Sequence, residues 1–385
     1  MNSKPIRSRE RTVGIMVCPA AGDPPFPEKQ YYKRLSLIGQ KLGLAVFVFF
    51  PHRIDWVRRR VVGYTYSASA KRWEKKLFPF PAAVYDRCFY PNLPTLSAYR
   101  EPIRRLMAHP DTRFLGYGLK GKWNVHQMLV RDEALEPHIP ETELFQRSSD
   151  LVRWLEERGE LFLKPHGGSQ GKGVLHVSKT AGGFAVRGRS ARNEVVHARF
   201  RSEGKLLAWI RSFTAGRKYL IQRYLTLTTA DGEAFDIRAL VQKNSGGCWE
   251  LTGLALRRGA PGSITSNLHG GGHAGEAEPF LRTLYGEEAA RVIAETVRSV
   301  ALRVPEVLEQ YHGRLAELGV DVGVDTDGRV WVLEANSKPG RSAFAALSDK
   351  RVRVAAIRNP MLYAKHLLDH PVARPGRYPA GPTER

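Results

Sequence analysis

A chain of 385 residues is too long for one compact core and predicts two or three lobes. Its composition is globular, 42% hydrophobic and 25% charged, yet 60 Lys and Arg against 38 Asp and Glu leave a net charge of +22. That field attracts anions in general. The charge is spread from Arg7 to Arg385 without zinc-finger or helix-turn-helix spacing, so it does not by itself make nucleic acid the partner.

The first lobe is expected over residues 1–105 as an α/β unit. A buried strand at 12–18 leads to a helix at 31–42 with Gly43 as its C-cap, then an apolar strand at 45–50 stopped by Pro51, and another at 82–85. Helices alternating with buried strands predict a mostly parallel sheet. The apolar run at 13–18 follows basic residues, as in a signal peptide, but is too short for one and is closed by Pro19. The three cysteines, Cys18, Cys88 and Cys248, form no CxxC and no disulfide framework. No stretch approaches the roughly 20 apolar residues of a membrane span. The expectation is a cytoplasmic protein that crosses no membrane.

A second lobe is expected over 106–225. A helix capped by Ser149 or Asp150 ends at Gly159, strands at 161–164 and 174–177 flank a glycine-rich loop, and a helix at 206–213 precedes a strand at 219–222. The basic segment 179–205 reads as an irregular surface excursion, a solvated face or a receiver of an acidic substrate. A third lobe is expected over 226–368, with strands at 235–242 and 249–256, a glycine-rich loop at 259–275, a long helix at 287–311 and a hairpin at 320–336. The segment 369–385 is Pro/Gly-rich and predicts a disordered tail.

Three segments carry chemistry. In GVDVGVDTDGRVWVLEANSKPGR, a two-residue turn at Asp327-Gly328 places Asp321 opposite Glu334, with Asn336 on the same face. Like charges directly opposed on a sheet destabilise it unless a cation intervenes. Hard oxygen donors at that spacing suit Mg²⁺; the alternative is a solvated pair. In LFLKPHGGSQGKGVLHV, Lys164 ends a strand, and Gly168, Ser169, Gln170, Gly171, Lys172 and Gly173 let backbone amides approach an anion. This is not a P-loop, because Gly173 follows Lys172 and a strand follows the loop. A mobile surface hairpin is the alternative. In KYLIQRYLTLTTADGEAFDIRALVQ, the backbone of Gln222, Arg223, Tyr224 and Leu225 can read an adenine edge, and the planar fork of Arg238 suits a phosphate. Asp236 stands beside it, as nucleotide contact or as a surface ion pair with Arg238. His269 and His273 have the spacing of a helical zinc pair, but the three intervening glycines argue against a helix.

Taken in order, these segments resemble the ATP-grasp superfamily, and most closely the YheC/YheD family described as endospore coat-associated proteins. The most specific pieces are LKPHGGSQGKGV, YLIQRYL with FDIRALVQ, SNLHGGG and DVGVDTDGRVWVLEANSKPG, and FVFFPHRIDW and FPFPAAVYDR in the first lobe add to them. The resemblance implies an ATP-grasp fold with an N-terminal α/β pre-grasp domain, binding ATP and Mg²⁺. It also implies an ATP-dependent carboxylate–amine ligase acting through an acyl phosphate. Lys164 and Lys122 would contact phosphates, Ser169 to Gly173 would cover them, and Gln222 to Leu225 would be the adenine hinge. Arg238 would stabilise the transferring phosphoryl group, Asn267 would lie near the phosphates or acceptor, and Asp321, Glu334 and Asn336 would hold Mg²⁺. Arg223 departs from relatives that often carry an acidic residue there. The substrates are not named by the sequence; the charge suggests an anionic acceptor, and spore-coat association follows from the family alone. The competing expectation is a nucleotide-binding coat or scaffold protein with little turnover.

Overall fold

The computed structural model describes residues 11–90, 93–168, 171–260, 266 and 272–370. Its strands fall into three sheets. The expected N-terminal basic tail, the tail beyond 370, Ser169, Gln170 and Asn267 lie outside the described residues.

The first sheet contains β1 (Thr12–Met16), β2 (Ala45–Asp55), β3 (Arg60–Ser67), β4 (Arg72–Pro79), β5 (Ala83–Asp86) and β6 (Arg113–Phe114), in the order β4-β3-β2-β1-β5-β6. β1 pairs in parallel with β2 and β5, and β5 with β6, whereas β2, β3 and β4 form an antiparallel meander. Two helices, α1 (Lys29–Lys41) and α2 (Leu93–Ala108), belong to this lobe. Pro51 does not stop β2; it sits where the β2–β3 register shifts between Phe49 and Ile54, so its missing N–H interrupts no regular ladder. The parallel arrangement also places Cys18 and Cys88 just past the ends of neighbouring strands, where their side chains hydrogen-bond, a contact their separation in sequence concealed.

Helix α3 (Lys122–Leu129) precedes the second sheet. That sheet holds β7 (Thr142–Phe145), β8 (Glu160–Pro165), β9 (Val174–Thr180), β10 (Gly183–Arg189), β11 (Val195–Phe200) and β12 (Tyr219–Gln222), ordered β11-β10-β9-β8-β12-β7. Its helices are α4 (Ser148–Arg158), with Asp150 accepting from the backbones of Gln146 and Arg147, and α5 (Glu203–Thr214). The basic segment expected to be irregular is largely the β10–β11 hairpin. Its alternation was hidden because the inward set (Val186, Val196, Ala198, Phe200) is spaced by exposed basic residues. The apolar face joins Leu161, Leu163, Leu175, Val177, Tyr219 and Ile221 against α4 and α5; the other face is left for the cleft.

The third sheet comprises β13 (Phe235–Lys243), β14 (Trp249–Arg258), β15 (His273–Glu276), β16 (Glu317–Val324) and β17 (Val330–Asn336), ordered β15-β14-β13-β16-β17 and antiparallel throughout. Period-two alternation gives each strand one helix-facing and one cleft-facing set. In β16, Leu318, Val320, Val322 and Val324 are buried in the core shared with α7 (Glu287–His312), while Glu317, Gly319, Asp321 and Gly323 take the other face. On α7, Ile293, Val297, Val300, Val304 and Val307 recur every three or four residues and are buried. Each such side chain contributes about 1.5–3 kcal/mol of transfer free energy. Helix α6 (Ala277–Tyr285) packs beside α7. The short α8 (Ser342–Ala345) and α9 (Lys350–Asp369) cover part of the opposite face, through Phe344, Leu347 and Ala356. Helix α9 also sends Met361, Tyr363, Ala364 and Leu367 into the core of the first sheet.

Candidate active site

A cleft of about 430 Å³ opens between the second and third sheets, with α3 along one side. Its lining is mainly apolar (Val125, Leu129, Leu220, Val332, Leu333), joined by Lys122, Lys164, Gln222 and Glu334. An apolar lining with a few convergent polar groups is the make-up of a small-molecule site.

Lys164 reaches the cleft from the end of β8, and its ammonium donates to Gln222 Oε1 at 3.0 Å. Gln222 in turn donates to Thr142 at 2.7 Å, so the side chain at the end of β12 is fixed. Burial, with the Lys122 charge adding to it, lowers the Lys164 pKa to about 8. The same burial, reinforced by Lys164, lowers His126 to about 4, so that its ring is neutral at pH 7. Lys122 is the first residue of α3, and its ammonium bridges Gly168 O at 2.7 Å and Glu334 at 3.0 Å. It therefore ties the glycine-rich loop to β17. Gly121, the N-cap of α3, allows this: a Cβ there would lie 2.1 Å from His166 Nε2. In the loop itself, Gly168, Gly171 and Gly173 have φ of 99°, 62° and 74°, the left-handed region that only glycine enters freely. Lys172 is exposed, and Gly173 N donates to Ser190 O at 3.1 Å, so the β10–β11 loop supports the glycine loop.

Across the third sheet, Arg238, Asp321 and Glu334 stand side by side on β13, β16 and β17. The opposition of Asp321 and Glu334 was expected, but not its route. The turn is a three-residue loop in which Asp325 N donates to Arg329 O and Gly328 takes φ 77°. A bulge at Leu333 then restores the register. Protein cations already meet the opposed charges. Arg238 grips Asp321 with both arms of its fork, Arg257 reaches it at 3.0 Å, and Lys122 neutralises Glu334. Burial raises the Asp321 pKa, but Arg238 and Arg257 outweigh it and the net shift is downward. Asn336 is half-buried opposite Gly319, and its amide has no partner among the described residues.

Asp236 does not pair with Arg238. It accepts two 2.6 Å hydrogen bonds from Arg257, and Ser266 also donates to it. Burial, partly offset by Arg257, leaves the Asp236 pKa raised. Arg257 is 8% exposed and joins two carboxylates, yet it was absent from the expected site. The sign that could have revealed it is the arginine pair closing the strand WELTGLALRR, whose first member stands directly opposite Asp236. At the hinge, Arg223 lies over the Trp331 ring at 5.5 Å and Tyr224 stacks on His176 at 3.6 Å, while Leu225 follows the strand's end.

Asp321, Glu334 and Asn336 offer only hard oxygen donors, and the donor set fits a divalent cation that completes its shell with water or phosphate. No group of three His, Cys, Asp or Glu converges among the described residues. His273 lies on β15, and its proposed zinc companion His269 is outside the described residues.

Two sheets closing on a cleft, with a glycine hairpin over one end and lysines from both sides, define an ATP-grasp protein. The chain belongs to the family described as YheC/D like ATP-grasp, whose model matches residues 111–367. It is similar to the endospore coat-associated protein YheD of Bacillus subtilis (strain 168), at 28% identity over 354 residues, 91% of this chain and 77% of that protein. It is likewise similar to YheC of the same organism, at 28% identity over 324 residues, 84% of this chain and 88% of that one. Among solved structures, D-cycloserine synthetase DcsG aligns over 93% of this chain and 99% of its own, with 14% identity and a TM-score of 0.49. An ATP-grasp fold implies ATP binding. Among the described residues, no helix is long and apolar enough to cross a membrane.

Proposed function

We propose that the protein is an ATP- and Mg²⁺-dependent carboxylate–amine ligase, and that the cleft between the second and third sheets is its nucleotide site. The observation that carries this reading is the convergence on one cleft of Lys122, Lys164 and Glu334, with Lys122 tied to the glycine-rich hairpin and Arg238 and Asp321 in register beside Glu334. The backbone from Gln222 to Leu225 reads the adenine edge, above the apolar floor of Leu129, Val332 and Leu333. Lys164 and Lys122 neutralise phosphate oxygens and the glycine-rich loop covers them; the family resemblance assigns Asn267 and Asp236 to the phosphate end. Lys122 and Glu334 are paired with each other at 3.0 Å, and each gains a stronger partner in a phosphate oxygen and a divalent cation. Asp321, Glu334 and Asn336 would hold Mg²⁺, which would supply charge neutralisation to the phosphates.

The chemistry these groups serve is phosphoryl transfer, which depends on position and charge neutralisation more than on a protein nucleophile. A substrate carboxylate oxygen attacks the γ-phosphorus and ADP leaves; an amine then attacks the carbonyl carbon and phosphate leaves, carrying one carboxylate oxygen. Arg238 places a delocalised charge where the transferring group gathers its own, and Arg257 holds Asp321 and Asp236 so that Arg238 keeps its orientation. A cytoplasmic location and a link to the spore coat go with this reading. So do a small lobe over 106–225 and a large lobe over 226–368.

Oxygen-18 tests the reaction. The protein is incubated with Mg·ATP, hydroxylamine and a panel of ¹⁸O-labelled carboxylates, including short glutamate peptides. The expected products are ADP, a hydroxamate and phosphate carrying the label. AMP with pyrophosphate would contradict the proposal.

A further inference from the structure

The cleft does not end at the nucleotide-binding end of the second sheet. Gln222 and Phe162 are cross-strand partners, Phe162 pairs with His176, His176 with Arg187, and Arg187 with His197. Cross-strand partners share a face, so this row runs from the cleft to the outer edge at about 4.8 Å per strand. One step along the strands on the same face stand Arg189 on β10 and Arg199 on β11. Arg187, His197 and Arg199 are exposed.

Some exposed arginines are neutralised by a neighbouring carboxylate and others, such as Arg72 and Arg100, form no ion pair among the described residues. Arg104, Arg153, Arg291, Arg303 and Arg351 are exposed but each is paired with a carboxylate. Arg187 and Arg199 have no carboxylate partner among the described residues, and Arg187 touches only the His176 ring, at 3.5 Å. Charges on an edge strand keep it from pairing with another copy. That explains Arg199 but not Arg187, because β10 is an interior strand.

From these observations we propose that the cleft-side face of β10 and β11 docks an extended acidic polypeptide segment, whose carboxylates pair with Arg187 and Arg199. The inference rests on the cleft being the site where a carboxylate is activated, since this face leads directly into it. An extended chain repeats its side chains on one side about every 6.8 Å, the same step that separates His197 from Arg199, two residues apart on β11. The open edge of β11 offers backbone hydrogen bonds to such a chain. Nucleic acid would call for exposed rings to stack its bases. Of the rings in this row, Phe162 is half-buried and His176 is stacked on Tyr224, which leaves only His197 exposed.

The probe is a fluorescent poly-L-glutamate decamer, its binding to the full chain followed by anisotropy, beside a single-stranded DNA decamer. The double variant Arg187→Gln/Arg199→Gln is compared with Arg72→Gln/Lys75→Gln, which removes equal charge from β4. The expected result is a tenfold or greater loss of decamer affinity in the first variant, a loss under twofold in the second, and unchanged Mg·ATP affinity in both. Equal losses in the two variants, or none in either, would overturn the proposal. DNA binding tighter than polyglutamate and lost in the first variant would overturn it in favour of nucleic acid. Absent Mg·ATP binding in the wild type would refute the nucleotide site itself. Polyglutamate failing to bind while Mg·ATP binds would refute only the docking face.

Discussion

Lys164 shows how a single buried cation is prepared for a ligand and what that preparation costs. Its folded pKa, about 8, lies below the unfolded lysine value. Between those two pH values the unfolded chain binds more protons, so stability rises with pH; below about 8 the folded protein carries the cost of a buried charge. Lys164→Met is therefore expected to stabilise the nucleotide-free protein at pH 7 by roughly 1–2 kcal/mol, after discounting for its partial exposure. The advantage over wild type shrinks by pH 9.5. Urea melts of both proteins at the two pH values check this; a variant less stable at pH 7 would contradict it. At this scale the sequence grouped residues that the fold brings to one cleft, Lys164 and Glu334 from their motifs and Lys122 from the family resemblance. It was silent on Arg257, whose importance comes from meeting Asp236 across the β13–β14 pair and Asp321 beyond it.

Helix α3 and the end of β8 behave as one unit. Lys122 N donates to His166 O at 3.1 Å, and the Lys122 ammonium reaches both Gly168 and Glu334. Gly121→Ala would set a Cβ 2.1 Å from His166 Nε2, so the ring or the helix must move. The expected cost is about 1–3 kcal/mol of stability. A loss of nucleotide affinity accompanies it, because Lys122 is displaced. Melting and calorimetry on the same sample read both, and unchanged nucleotide affinity would separate α3 from the site. The β16–β17 hairpin teaches a second lesson about elements. The Asp-Gly pair suggested a two-residue turn, the chain forms a three-residue loop, and the bulge at Leu333 returns Asp321 to Glu334. Facing positions survived while turn type did not, because a bulge leaves no mark in residue type. The β10–β11 hairpin was missed for a related reason: half-exposed strands dilute their alternation with charge.

Across the whole molecule, length and the succession of periodic segments led to the expectation of two or three lobes, and the described strands form three sheets. What the sequence could not display is how the chain returns on itself. Helix α9 carries its apolar residues from the third sheet into the first, and Gly116 passes so close to Ala316 N that a Cβ would lie 2.6 Å away. Such contacts join residues hundreds of positions apart, and no local pattern encodes them. The net charge of +22 is likewise a property of the whole molecule. The central claim is that this cleft is a working Mg·ATP site. Calorimetric titration of Mg·ATP into the wild type, Lys164→Ala and Glu334→Gln tests it most directly. The account predicts micromolar-range binding that requires Mg²⁺ and weakens at least tenfold in each folded variant; tight binding indifferent to both substitutions, or none by the folded wild type, would contradict it.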